Sequence, residues 1–193
     1  SLTVFLSTGA VLGVLPEADA SSGTWLTAWT TSMVDGSIKL GEKFAFNDFI
    51  PARSTIRTEL TVTTSGTKLR LKFSNEYSIT DATLDEVSVA KTQGSGEAKI
   101  VDGTQTQITF NGGETSVVLK RGETVWSDEI DFETQALEKI SISVFFKNMT
   151  YITTGGLANS ETYLDTSNLL NFLTGALSVA RRRCSIEFRQ FTR

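Results

Sequence analysis

Residues 68–74 read Lys68-Leu69-Arg70-Leu71-Lys72-Phe73-Ser74, and their strict alternation decides the fold class. Successive side chains on an extended strand point to opposite faces. Leu69, Leu71 and Phe73 therefore share one side, and Lys68, Arg70 and Lys72 the other. Just upstream, residues 56–62 repeat the pattern: Ile56, Thr58, Leu60 and Val62 on one face, Arg57, Glu59 and Thr61 on the other. Between the two runs, Thr64-Ser65-Gly66-Thr67 has the length and the glycine of a hairpin loop. The spacing predicts a β-hairpin with one apolar and one wet face.

The pattern continues outward from this pair. Residues 82–91 carry Leu84, Val87 and Val89, and residues 139–146 place Ile140, Ile142, Val144 and Phe146 on one face. Residues 105–110 and 116–120 flank Asn111-Gly112-Gly113, where Asn and Gly tolerate the positive φ of a tight hairpin. Only two Pro occur, with 15 Gly and abundant Thr, Ser and Val. Short strands spaced in this way predict an all-β, antiparallel β-sandwich of jelly-roll type, in a single domain. Residues 168–180 (NLLNFLTGALSVA) stay open: Leu and Ala favour a helix, but an apolar run broken at Thr174-Gly175 also suits a kinked buried strand.

The two ends read differently. Residues 2–15 (LTVFLSTGAVLGVL) are apolar and uncharged, and Ala18-Asp19-Ala20 puts small residues at the −3 and −1 positions of a cleavage site before Ser21. Residues 1–20 read as a secretory signal peptide without its n-region, and the alternative is a buried strand or hairpin. The stretch is too short to span a bilayer, which needs about 20 apolar residues. Residues 21–180 are the expected sandwich. Residues 181–193 hold five Arg and one Glu, a net +4 that leaves −8 for the rest of a chain whose total is −4. They read as a basic tail outside the fold. The overall charge gives no reason to expect nucleic acid or an anionic membrane as partner. With Cys184 the only cysteine among 193 residues, an exported chain must fold by packing and not by internal disulfides.

The chain contains no histidine. A Ser-His-Asp mechanism has no imidazole to take the serine proton, and zinc sites built on His and Cys are excluded. No G-x-S-x-G elbow, P-loop or G-x-G-x-x-G occurs, and no cofactor is implied. Asp128, Glu129, Asp131 and Glu133 follow Trp126 closely. Paired acids beside an aromatic suit a glycosidase and clustered oxygens suit Ca²⁺, but neighbours on a strand point to opposite faces, which favours a solvated strand edge. Trp25, Trp29 and Trp126, with Tyr77, Tyr151 and Tyr163, are candidates for a sugar-stacking platform, with core or edge packing as the alternative. Asn148-Met149-Thr150 fits the N-glycosylation sequon.

Several segments, in order, resemble the region that precedes the catalytic domain in secreted GDSL-type esterases (SGNH hydrolases). Trp25-Leu26-Thr27-Ala28-Trp29-Thr30-Thr31-Ser32 is similar to a W-x-x-x-W-x-x-S opening. Ser54-Thr55-Ile56-Arg57 followed by Leu69-Arg70-Leu71-Lys72-Phe73-Ser74-Asn75-Glu76-Tyr77 is similar to a T-I-R and R-L-R-L-S-N-x-F/Y pair. Ile108-Thr109-Phe110-Asn111-Gly112-Gly113, then Arg121-Gly122-Glu123-Thr124-Val125-Trp126-Ser127-Asp128, resembles v-T-F-G-G and a-G-x-x-v-W-S-D. Phe172-Leu173-Thr174-Gly175 with Val179 resembles the F-L-T-G-x-x-V strand that leads to the nucleophile, which implies a strand for residues 168–180.

The family's G-D-S and D-x-x-H motifs are absent, so none of its catalytic residues carries over. The resemblance implies a non-catalytic N-terminal accessory domain of a secreted ester hydrolase, truncated or out of frame before the active site and inactive alone. Its partners would be the missing C-terminal catalytic domain and a carbohydrate or ester substrate. The alternative from another class is a free-standing secreted carbohydrate-binding or surface-adhesion module. A third is a small enzyme working through carboxylates.

Overall fold

The computed structural model describes residues 24–30, 33–35, 49–94, 98–151, 154–156, 161–166 and 186–192. The expected signal segment and the 168–180 stretch lie outside them. Two five-stranded antiparallel sheets dominate, with no helix among the described residues. The first contains β1 (Thr24–Trp29), β16 (Ile186–Thr192), β5 (Gly66–Ser74) and β10 (Thr124–Trp126) in that order, with β11 (Ile130–Thr134) also paired to β5. The second runs β15 (Glu161–Asp165), β4 (Ser54–Thr61), β12 (Lys139–Phe146), β7 (Glu86–Lys91), β8 (Thr106–Ile108). Among the described residues, three two-stranded ribbons accompany them: β13 (Thr150–Tyr151) on β3 (Phe49–Ile50), β14 (Thr154–Gly156) on β2 (Met33–Asp35), and β6 (Ala82–Leu84) on β9 (Val117–Leu119).

The pairing is nested. In chain order, β1 pairs with β16, β4 with β12, β5 with β10 and β11, and β7 with β8, while β16 also joins β5 and β12 joins β7. First-with-last pairing, folded inward to a central hairpin, is the jelly roll. β15 is an additional strand on the outer side of β4.

Nested pairing corrects the expected hairpin at residues 64–67. β4 and β5 lie in different sheets, and the chain crosses between them. The crossing is held by Val62 N–H to Glu138 O (3.0 Å), Leu137 N–H to Val62 O (2.8 Å) and Thr63 N–H to Ala28 O (2.9 Å). A hairpin would leave both apolar faces on one side of one sheet. The crossing instead sets Ile56, Leu60 and Val62 against Leu69, Leu71 and Phe73 in a shared core with Val87, Val89, Ile108, Phe110, Ile140, Ile142, Val144 and Phe146. Burying each such side chain is worth about 1.5–3 kcal/mol.

The turn at Asn111-Gly112-Gly113 is corrected in the same way. It is tight, with φ of 52°, 83° and 124° and a Phe110–Glu114 bridge, but the strands it separates go to different partners, β8 to β7 and β9 to β6. The wet face expected for β4 is buried as well: Arg57 is 0% exposed and Glu59 4%. Finally, residues 186–192, placed by sequence in a tail outside the fold, form the closing strand of the jelly roll between β1 and β5. Behind the arginine run at 181–183, Ile186-Glu187-Phe188-Arg189 alternates apolar and charged residues as a strand does.

Candidate functional site

Alternation along β5 sends Lys68, Arg70 and Lys72 to the outside of the first sheet, and register brings Trp126 opposite Lys72. Arg70 is the centre of this face. Its guanidinium lies 4.8 Å from the Trp25 ring centroid and 4.7 Å from that of Trp126, while Lys72 Nζ lies 5.6 Å from Trp126. A cation over an indole face is attracted by the ring quadrupole. Arg70 Nε is shielded from solvent and has no hydrogen-bond acceptor among the described residues.

Trp29 does not join them. A register shift between Thr27 and Trp29 turns the strand, and Trp29 packs against the core. The tyrosines disperse too: Tyr163 is buried at 1% exposure, and Tyr77 and Tyr151 are exposed, on the 76–79 turn and on β13. Of the three tryptophans offered as ligand contacts, Trp25 and Trp126 share a surface and Trp29 does not. The shared surface is already engaged, because Arg70 lies over both rings.

The acidic group after Trp126 separates. Asp128 accepts from Gly112 N–H (2.9 and 3.1 Å), Gly113 N–H (2.8 Å) and Thr109 Oγ1 (2.8 Å). The Gly112 amide, with help from Thr109 and Gly113, holds its carboxyl below the usual range against an opposing effect of burial. Glu129 pairs with Lys68 at 2.6 Å and Asp131 approaches the same amine at 3.8 Å, which raises the Lys68 pKa, chiefly through the Glu129 hydrogen bond. Glu133 Oε1 accepts from Gln135 Nε2 at 3.5 Å. Among the described residues, no three His, Cys, Asp or Glu side chains converge on a metal-sized site.

Three polar residues of the quoted motifs act instead as internal ties. Asp128, from Trp126-Ser127-Asp128, clasps the Asn111-Gly112-Gly113 turn. Ser127 Oγ accepts from Leu71 N–H (2.9 Å) and donates to Asp128 O (2.8 Å), and Ser127 N–H donates to Leu71 O (2.8 Å). Asn75, 2% exposed, donates from Nδ2 to Thr80 O (2.9 Å) and Leu119 O (3.0 Å). Its backbone exchanges hydrogen bonds with Glu123 O and Gly122 N–H.

Arg57 was not foreseen as a buried centre. Its Nε donates to Ser143 Oγ (2.7 Å) and Nη1 to Ala98 O (2.7 Å), while Glu59 Oε1 accepts from Ala98 N–H (3.2 Å). Burial pushes its pKa down to about 10, opposed by the charges of Glu59 and Asp165. A signal for this existed in residues 139–146: Ser141 and Ser143 occupy the outward positions of β12, where a solvated strand would carry longer charged side chains. Ser143 sits beside Arg57 in register.

No protein-family model matches the chain, and no curated protein is significantly similar to it.

Proposed function

We propose that this chain is the non-catalytic jelly-roll accessory domain of an exported GDSL-type ester hydrolase, standing before the catalytic domain and inactive alone. One observation carries the reading: the segments that bear the resemblance are bound to each other through their distinctive polar residues. Asp128 of the W-S-D segment holds the T-F-N-G-G turn, and Asn75 of the S-N-E-Y segment holds the loop that continues into Arg121-Gly122-Glu123. Residues that need partners in other segments make a signature specific to one fold, in contrast to triplets that recur independently. The histidine-free composition fits a domain that leaves acyl transfer to a partner. That partner is a catalytic domain supplying Ser, His and Asp, and the substrate class is a carboxylic ester, acylated carbohydrate being one form of it.

The coding DNA next to this region tests the proposal. It is expected to encode, in some frame, a strand ending in G-D-S shortly downstream, and a plain stop with no such motif in any frame would sink it.

The free-standing carbohydrate-binding reading is favoured by one feature, the placement of Trp25 and Trp126 on one face. Saturable binding to a polysaccharide, lost on Trp126→Ala, would promote it over the accessory-domain reading.

A further inference from the structure

We propose that Asn148 is an acceptor site for an N-linked glycan, an inference that rests on the exported reading. Seven asparagines occur in the chain, and Asn148 alone is followed at the second position by Ser or Thr, with Met149 and not proline between. The fold presents this sequon favourably. Asn148 and Met149 are exposed in the bend between β12 and β13, Met149 at 54%. The bend is pinned on both sides of the acceptor. Lys147 N–H donates to Asp85 Oδ2 (2.7 Å), Arg53 N–H to Lys147 O (3.3 Å), and Thr150 Oγ1 to the Asn148 carbonyl (3.1 Å). These bonds use backbone atoms of residues 147 and 148 and leave the Asn148 amide free of hydrogen bonds to described residues. A sugar on Nδ2 therefore breaks no hydrogen bond among the described residues.

The position is also remote from the sheet crossing. β12 begins beside Thr61 and ends beside Ser54, so Asn148 lies at the opposite end of an eight-residue strand from residues 62–66. That is roughly 25 Å along the strand. Ser78 Oγ approaches Tyr151 O at 3.5 Å, bringing the 77–79 turn to the same end. Ile79 (69% exposed), Tyr77 (41%) and Tyr151 (45%) stand there with Met149, apolar surface that a glycan would shield from water.

The chemistry is a group transfer from a lipid diphosphate-linked oligosaccharide, catalysed by the transferase of the export route. The Asn148 amide nitrogen forms a bond to the anomeric carbon, the carbon–oxygen bond to the diphosphate breaks, and the amide gives up one proton. Thr150 is 7% exposed in the folded chain, so transfer takes place as the chain emerges, before β13 closes.

The test expresses residues 21–193 behind a yeast secretion signal and, separately, the full sequence relying on residues 1–20 behind an added initiator Met and a short basic n-region. Intact mass is read before and after peptide-N-glycosidase, in medium and in the endoplasmic-reticulum fraction. A glycan mass is expected that the enzyme removes with conversion of residue 148 to Asp. It should vanish in Asn148→Gln and in Met149→Pro and persist in Thr150→Ser. Signal-cleaved chain carrying no glycan would overturn the proposal. Glycan behind the yeast signal but no entry with residues 1–20 would overturn the export reading and leave the Asn148 assignment standing.

Discussion

Replacing Asn75 by Ala tests whether the motif residues hold the fold together. The side chain is 2% exposed and its Nδ2 serves two carbonyls, Thr80 O at 2.9 Å and Leu119 O at 3.0 Å, on segments 44 residues apart from Asn75 at the farther partner. Truncation leaves both carbonyls without that donor, while the backbone bonds of residue 75 to Glu123 and Gly122 survive. An unsatisfied buried group costs about 1–3 kcal/mol, and Thr80 O, on the more open side, will fall at the lower end, so the sum is about 2–4 kcal/mol. For a chain of this size each kcal/mol moves Tm by roughly 2–4 °C, giving an expected fall of about 10 °C. Thermal unfolding followed by far-ultraviolet circular dichroism and by tryptophan emission reads the change. Asn75→Asp is the informative control, because it keeps the shape but sets an acceptor against two acceptors, and it should destabilise at least as much. An Asn75→Ala protein that melts within about 2 °C of the parent would show that these two bonds do not hold the fold, since that corresponds to less than about 1 kcal/mol.

Three further outcomes are expected. Asp128 has its folded pKa depressed below the usual 3.8, so its contribution to stability is present above that value and is lost as pH falls through the lower folded value. Asp128→Asn should therefore be less stable than the parent near neutrality, with the gap closing in acid titrations of the two proteins; a gap independent of pH would contradict the clasp. Arg70→Met keeps the stem but removes the cation between Trp25 and Trp126; tryptophan emission should shift and stability fall by about 1–2 kcal/mol, and an unchanged spectrum would count against the stack. A stop after Ser185 removes six registered pairs to β5 and five to β1, so cooperative unfolding should be lost; retention of the parent's Tm would show that residues 186–192 do not close the sheet.

The class of fold was legible because period-two alternation survives wherever one strand face meets the core, as in residues 68–74 and 139–146. Connectivity was not. Thr64-Ser65-Gly66-Thr67 is short enough for a hairpin, and local spacing does not say whether a turn reverses a strand in its own sheet or passes it to the opposite one. Only the long-range pairing of β4 with β12 decides. Burial of Arg57 and Glu59 was hidden for a related reason: charged residues at alternate positions signal solvent unless their cross-strand neighbours are known, and here these are Ser143, Ser141, Tyr163 and the Glu161 position. The candidate platform was half legible. Aromatic content pointed to Trp25 and Trp126, but the shift that turns Trp29 inward and the placement of Arg70 between the other two rings depend on the strand register.

The proposal of an accessory domain requires that the folded chain leave ester hydrolysis to a separate catalytic domain. The most direct measurement is the rate of p-nitrophenyl acetate hydrolysis by the purified, folded chain over a range of protein concentrations. A rate equal to that of buffer is expected at every concentration. Turnover that rises in proportion to protein and follows it through purification would show that the chain hydrolyses esters itself.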